Sequence, residues 1–211
     1  MLYSAGNAYA QRNPDTYYEE IPRTFYGGVL AGANFCQIDG DNYAGYHKVG
    51  LNLGGIVYAN LADHLAASID ILFSQKGARS NGATTVSPTR TVQYYRADLN
   101  YAEVALQLNY FDKRRSHFGA GVAVNRLITV NERGEGVFPA PSLAFEQVPF
   151  RKMDYQFIVG GNLHLVKGLF LNARFQYSLV PVRTPDPNQF FFAGRNQQTN
   201  NVWAVRLMYL F

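Results

Sequence analysis

The sequence predicts an all-β fold: a closed, eight-stranded, antiparallel up-and-down transmembrane β-barrel with a filled polar interior. Apolar residues recur at every second position over about eight stretches, which is the pattern of strands with two different faces. The connections between these stretches alternate between short and long. Charged residues make up 16% of the chain and aromatic residues 15%, whereas an ordinary soluble protein has roughly 25% charged residues.

The alternation is clearest towards the end of the chain. The stretch "LFLNARFQYSLV" (169–180) alternates large apolar residues with Asn172, Arg174 and Gln176. Each stretch has about the length that a tilted strand needs to cross a bilayer. The predicted strands cover residues 25–34, 47–59, 65–75, 101–110, 117–125, 153–165, 169–180 and about 200–211.

The connections predict which end of the barrel faces which compartment. The tight turns "NLADH", "DKRRS" and "VKG" follow the second, fourth and sixth strands. Bacterial outer-membrane barrels have short periplasmic turns and longer extracellular loops. We therefore expect the outer membrane as the location and extracellular loops at the longer links, which are 35–46, about 76–95, about 128–152 and 181–198.

The N-terminal residues resemble the end of a secretory signal peptide. Ala8, Tyr9 and Ala10 precede Gln11, which matches the A-x-A pattern of a cleavage site. We interpret residues 1–10 as the remnant of a signal peptide, 11–24 as a periplasmic segment and 25–211 as the barrel. The alternative is that the first ten residues are an ordinary tail of small residues.

Alternation alone does not distinguish a membrane barrel from a soluble sandwich or lipocalin-like barrel with an apolar interior. Large aromatic residues near the strand ends favour the membrane, because aromatic rings concentrate at both membrane–water interfaces. The chain ends in such a strand, and we expect Trp203, Tyr209 and Phe211 to mark a C-terminal membrane-insertion strand. One expected girdle is Phe25, Tyr58, Tyr110, Phe118, Tyr209 and Phe211; the other is Tyr46, Phe73, Tyr155, Tyr177 and Trp203.

The polar stripe predicts an ionic network inside the barrel. An eight-stranded barrel is narrow, so side chains fill its interior. The third and fourth strands contribute Asp70 and Glu103, and the seventh and eighth contribute Arg174 and Arg206. These strands lie on opposite walls, and a buried charge without a partner is costly. We expect a salt-bridged plug; the alternative is a proton or ion path.

A basic segment follows the third predicted strand. Residues 76–96 contain Lys76, Arg79, Arg90 and Arg96 and no acidic residue. If this segment is extracellular, it lies beside the phosphates of lipopolysaccharide, which attract basic side chains. We therefore expect contact with outer-membrane lipid and lipopolysaccharide, and the alternative is an ordinary solvated loop.

The sequence contains no catalytic constellation. Asp39 and Asp41 flank Gly40, but the spaced oxygen donors of a calcium loop are missing, so a turn is the better interpretation. The four His residues lack zinc-site spacing, and there is no nucleophile motif. The net charge of +4 is mild and does not indicate nucleic acid. We expect no enzyme activity and no cofactor.

The chain resembles the PorT-type outer-membrane β-barrel family of Bacteroidota over essentially its whole mature length, and most strongly before residue 111. The resemblance lies in "GGVLAGANFCQIDGDNYAGYHKVGLNLGG" (27–55), "ILFSQKG" (71–77) and "YAEVALQLNYF" (101–111). Cys36 stands where the family has Ser, and Ala105 where it has Pro. The residues that match the first motif are Gly32, Asn34, Gln37, Gly40, Asp41, Gly45, Lys48 and Gly50, and Ser74 to Gly77 match the second.

The resemblance implies an eight-stranded barrel that reaches the outer membrane by the secretory route. The best-known member of that family is required for type IX secretion. We therefore expect a non-catalytic structural or docking component of the cell envelope, with other envelope or secretion proteins as partners. The alternative function is a small pore or a ligand-binding barrel, because glycines on several strands (Gly119, Gly121, Gly160 and Gly161) would widen the lumen.

Overall fold

The computed structural model describes residues 24–41, 43, 45–87, 90–113, 115–136, 149–183 and 197–211. The interpreted signal-peptide remnant, 1–10, lies outside these residues, and so does the expected periplasmic segment as far as residue 23. Over the ranges described, the chain forms no helix with the length and apolarity needed to cross a membrane.

The described residues form nine β-strands, and eight of them correspond to the predicted ones. The ninth, β4, is a short strand at the extracellular end. The strands are β1 (Phe25–Asp39), β2 (Lys48–Ala62), β3 (Leu65–Arg79), β4 (Thr84–Ser87), β5 (Arg90–Phe111), β6 (His117–Gly136), β7 (Met153–Val166), β8 (Leu169–Ser178) and β9 (Thr199–Leu210).

Eight of these strands close into an antiparallel ring. The order around the ring is β1, β2, β3, β5, β6, β7, β8 and β9, and β9 pairs with β1. Gly32 on β1 shows the closure, because it lies opposite Asn52 of β2 and Arg206 of β9. A closed ring leaves no unpaired strand edge, which a sheet in hydrocarbon requires. The predicted eight-stranded barrel is therefore confirmed, with β4 paired to β5 outside the ring.

The strands run further than the alternating pattern predicted. β5 has 22 residues and β6 has 20, so much of the expected links 76–95 and 128–152 is strand. β1 likewise continues to Asp39, and Cys36 lies buried in it instead of in a surface loop. Beyond the membrane both faces of a strand accept polar residues, so the period-two pattern fades although the backbone pairing continues.

The apolar stripe faces outward and the polar stripe faces the lumen. On β9, Leu207 is 52% exposed and Arg206 only 3%; a soluble barrel would show the reverse. Trp203, Tyr209 and Phe211 are all exposed on the outer wall. Tyr58 was wrongly placed in a girdle, because it has the opposite parity from Val57 and points into the lumen, where it is 1% exposed.

The lumen contains two apolar zones with a polar zone between them. The periplasmic zone comprises Leu30, Ile56, Tyr58, Ala66, Leu72, Phe170, Met208 and Leu210. The extracellular zone comprises Ile38, Tyr43, Ala78, Val92, Tyr95, Ala97, Leu99, Tyr101, Phe150 and Val182. The polar zone contains the buried charged residues Asp70, Lys76, Glu103, Asp154, Arg174 and Arg206.

Candidate functional site

Arg174 forms the centre of the polar zone. Its Nη1 lies 3.0 Å from Asp70 Oδ2, and its Nη2 lies 2.6 Å from Glu103 Oε1. All three side chains are completely buried. β3 and β8 are four strands apart around the ring, so Arg174 spans the lumen. The structure thus brings together three of the four residues of the expected network.

Lys76 belongs to this interior network, although the sequence placed it in a loop. Its Nζ lies 3.0 Å from Glu103 Oε2 and donates to Asn125 Oδ1 at 2.8 Å and Gln156 Oε1 at 2.7 Å. The side chain is fully buried. The expected contact of Lys76 with lipopolysaccharide is therefore wrong. β3 continues past Ser74, and Lys76 keeps the inward parity of Asp70.

Arg206 is buried in the lumen but pairs differently from expectation. Its Nε donates to Asn172 Oδ1 at 2.8 Å, and its Nη1 lies 3.5 Å from Asn52 Oδ1. Among the residues that the structure describes, no carboxylate lies within 4.0 Å of Arg206. Asp70 and Glu103 are already bound by Arg174, so amide oxygens solvate the second guanidinium.

Asp154 is a further charged member of the polar zone and was not part of the predicted network. Its Oδ2 accepts from Gln156 Nε2 at 2.8 Å and from Asn200 Nδ2 at 2.9 Å. The sequence "MDYQF" (153–157) indicates this position, because Asp154 alternates with Met153 and Tyr155 and so lies on the inward face. Asp154 thus adds a third buried carboxylate to Asp70 and Glu103, beside the buried cations Lys76, Arg174 and Arg206. Lys48 is buried as well and pairs with Asp98.

Aromatic side chains close the periplasmic end of the lumen. Tyr58 Oη lies 2.9 Å from His117 Nε2. The His117 ring stacks on Phe111 with centroids 4.1 Å apart, and its centroid lies 5.6 Å from that of Phe170. His117 at the start of β6 therefore packs between aromatic rings from β5 and β8 and is hydrogen-bonded to Tyr58 of β2.

The extracellular end is closed by a second, mixed cluster. Arg183 donates Nη1 and Nη2 to the two carboxylate oxygens of Glu132 at 2.8 and 2.6 Å. Its guanidinium carbon lies 3.7 Å from the ring centroid of Phe150. Tyr95 donates to Glu132 Oε1 at 2.7 Å and stacks on Tyr43 at 4.3 Å. The mouth is thus packed over the polar zone.

Asp41 forms the turn that was expected near Gly40. Its Oδ1 accepts a hydrogen bond from the backbone N–H of Tyr43 at 2.9 Å. Burial raises the pKa of Asp41 to about 7, with the Tyr43 N–H opposing the change and the nearby Asp39 adding to it. Within the described ranges, no three His, Cys, Asp or Glu residues are grouped as metal ligands would be.

The other basic residues expected at lipopolysaccharide lie at the extracellular end. Arg79 and Arg96 project from the outer wall, on the face that carries Ile71 and Val104. Arg90 begins β5, and its side chain lies outside the described part of the chain. Arg133, opposite Arg96 on β6, was not expected because it fell in the predicted loop 128–152.

Several solved structures are similar to this chain at low identity. Ail, the attachment invasion locus protein of Yersinia pestis, is 13% identical, with a TM-score of 0.47 over 90% of this chain and 100% of that one. Neisserial surface protein A is 10% identical, with a TM-score of 0.40 over 90% and 98%. AlkL is 16% identical, with a TM-score of 0.38 over 88% and 90%.

None of the curated proteins matches the chain. The family model described as an outer membrane protein beta-barrel domain matches residues 9–183, which is most of the sequence. The chain therefore belongs to the family of outer membrane protein β-barrel domains and resides in the bacterial outer membrane.

Proposed function

We propose that this barrel is a sealed, non-catalytic component of the outer membrane, with a structural or docking role in the cell envelope. The observation that carries the proposal is the Arg174 network, in which ion pairs fill the middle of the lumen. Interior packing of this kind gives a rigid body whose outer surfaces are left for interaction.

The energetics of the network favour a permanently closed lumen. Opening a path through the polar zone would separate Arg174 from Asp70 and Glu103 while all three remained largely desolvated. Removing one partner of a buried ion pair destabilises a protein by about 3–5 kcal/mol. The apolar zones on either side would have to open as well, so spontaneous opening should be rare.

The alternative, a small pore or ligand-binding barrel, rests on inward glycines that would widen the lumen. In the structure, atoms of the adjacent strand β5 occupy the space beside the β6 glycines. A Cβ on Gly119 would lie 2.3 Å from Asn109 Oδ1, and one on Gly121 would lie 2.0 Å from Leu106 O. These glycines allow close packing of adjacent strands, which favours the sealed barrel.

Conductance measurements test the sealed lumen. The purified protein is reconstituted in planar bilayers, and we expect no steady channel. The double variant Glu103→Ala, Arg174→Ala removes the centre of the plug and is expected to conduct more often than the wild type. Its matched control is Asp112→Ala, Lys113→Ala, which removes one acid and one base from an exposed periplasmic turn. A steady wild-type conductance equal to that of the double variant would overturn the proposal.

We further propose that the barrel docks with the type IX secretion machinery. The support is the resemblance of residues 27–55, 71–77 and 101–111 to PorT-type barrels. Purification from native membranes in a mild detergent, followed by mass spectrometry, tests it. We expect secretion or other envelope proteins to co-purify in constant ratio, whereas a barrel that is always isolated alone would contradict the docking role.

A further inference from the structure

Three arginines form a row across three neighbouring strands at the extracellular end of the outer wall. In the β3–β5 register Arg79 lies opposite Arg96, and in the β5–β6 register Arg96 lies opposite Arg133. Residues directly opposite one another project from the same face, with Cβ atoms about 5 Å apart. Arg79 and Arg133 are exposed and Arg96 is partly exposed. We call these three residues the arginine row.

The arginine row continues the lipid-facing stripe beyond its apolar part. Arg79 has the parity of Ile69 and Ile71 on β3, both of which are exposed. It follows Phe73, the last large apolar residue of that stripe, by six positions. Six residues of strand span about 20 Å, or about 15 Å in height at a tilt near 40°. The row therefore lies above the hydrocarbon, on the extracellular side of the outer leaflet.

The protein balances the charges of the row only in part, through one carboxylate that Arg96 shares with Lys48. Arg96 donates Nε and Nη2 to Asp98 at 2.8 and 3.1 Å, but Asp98 also pairs with Lys48. Arg133 donates Nε to the amide oxygen of Asn131 at 3.2 Å. In the described part of the chain, no carboxylate lies within 4.0 Å of Arg79 or Arg133. Like charges placed directly opposite each other are destabilising.

We propose that the arginine row binds the phosphate groups of lipopolysaccharide in the outer leaflet. An external anion at this height would neutralise the charges of Arg79 and Arg133, for which the fold supplies no carboxylate within 4.0 Å among the described residues. Guanidinium groups bind phosphate oxygens through paired hydrogen bonds, and Asp98 holds one of the three in place. The acyl chains of the same lipid would pack on the apolar stripe below. This inference needs the outer-membrane location only, and it is independent of whether the lumen is sealed.

The test measures how much lipopolysaccharide stabilises the protein. The full chain is reconstituted in zwitterionic vesicles with and without lipopolysaccharide, and thermal unfolding is followed by circular dichroism. The test variant is Arg79→Gln, Arg96→Gln, Arg133→Gln. The control is Lys113→Gln, Arg115→Gln, Lys167→Gln, which removes the same charge from the periplasmic turns. We expect the test variant to bind lipopolysaccharide about tenfold or more weakly and to lose most of the stabilisation, while the control keeps it.

Equal stabilisation of the test variant and the control would overturn the proposal. A second measurement needs only the wild type, and so remains informative if the test variant does not fold. Vesicles containing enzymatically dephosphorylated lipopolysaccharide should stabilise the wild type much less than the intact lipid. If the two lipids stabilise it equally, the phosphates are not what the row recognises. Vesicles with phosphatidylglycerol distinguish a specific site from general attraction to anionic lipid, because equal stabilisation by that lipid would also contradict the proposal.

Discussion

Arg174 on β8 and Glu103 on β5 form an ion pair across the lumen, with Nη2 2.6 Å from Oε1 and both side chains fully buried. The same guanidinium binds Asp70, and the same carboxylate binds Lys76. The four residues come from three strands, so a change in any one of them alters the packing between distant walls of the barrel.

The first prediction concerns this pairing. Arg174→Met should lower the free energy of unfolding by about 3–5 kcal/mol, because Asp70 and part of Glu103 lose their counter-charge in a buried site. Urea unfolding in lipid vesicles, followed by the emission of Trp203, measures the change. The double variant Asp70→Asn, Arg174→Met removes one charge of each sign and leaves Glu103 with Lys76. It should recover much of the loss; a double variant as unstable as the single one would contradict the argument.

The second prediction compares two adjacent glycines on β2. A Cβ at Gly54 would lie 2.1 Å from the backbone oxygen of Ile71, whereas a Cβ at Gly55 would have its nearest neighbour at 3.7 Å. Gly54→Ala should therefore destabilise the barrel by about 1–3 kcal/mol or more, the usual effect of overpacking. Gly55 faces outward, so Gly55→Ala should change the free energy of unfolding by less than about 0.5 kcal/mol. The same urea experiment measures both, and equal effects would contradict the close approach of β2 and β3.

The sequence was sufficient to predict the ring of strands and the direction of each face. Period-two alternation places Asp70, Glu103 and Arg174 on the inner wall, and a narrow barrel then brings them close. It does not specify which residues meet across the lumen, because that depends on the relative heights of the strands. Arg206 shows this limit, since it has the predicted inward parity but contacts Asn172 instead of a carboxylate.

Lys76 and Arg133, which were assigned to links between strands, lie near the extracellular strand ends. There the outward positions become polar, and the contrast between the two faces disappears. Lys76 was assigned to a loop for this reason, although counting by twos from Asp70 puts it inside. Arg133 was missed because its position depends on backbone pairing between β5 and β6, which leaves no hydrophobic pattern in the sequence.

The third prediction is a pH dependence caused by Asp41 in the loop between β1 and β2. The pKa of this carboxyl is raised from 3.8 to about 7, mainly by burial. Because the folded state raises this pKa, proton binding by Asp41 stabilises the folded protein. The stabilisation is complete below pH 4 and is lost as the pH rises through 7. Asp41→Asn keeps the acceptor for the Tyr43 N–H and cannot ionise.

The variant should therefore match the wild type near pH 4 and be more stable above pH 8, by up to about 4 kcal/mol. Unfolding in urea at pH 4, 6 and 8 measures this difference. The comparison at pH 4 is the internal control, because both side chains are then neutral in the folded protein. A difference that is the same at all three pH values would contradict the raised pKa.

The fourth prediction concerns the depth of Trp203, which is the single Trp of the chain. Trp203 is 47% exposed on the outer wall and pairs with Phe35 and Phe175, near the extracellular end of the apolar stripe. In vesicles of brominated lipid, bromines near the headgroup should quench its fluorescence more strongly than bromines deep in the acyl chains. This follows because an aromatic ring at the interface contacts the upper part of the chains.

A relocated Trp provides the matched control. In Trp203→Phe, Leu207→Trp the indole lies four residues further along β9 on the same outward face, about 13 Å along the strand. Deep bromines should then quench more strongly than shallow ones. If neither lipid quenches either indole, the stripe does not contact hydrocarbon. If both indoles respond equally to the two lipids, β9 does not cross the bilayer at the tilt that the barrel requires.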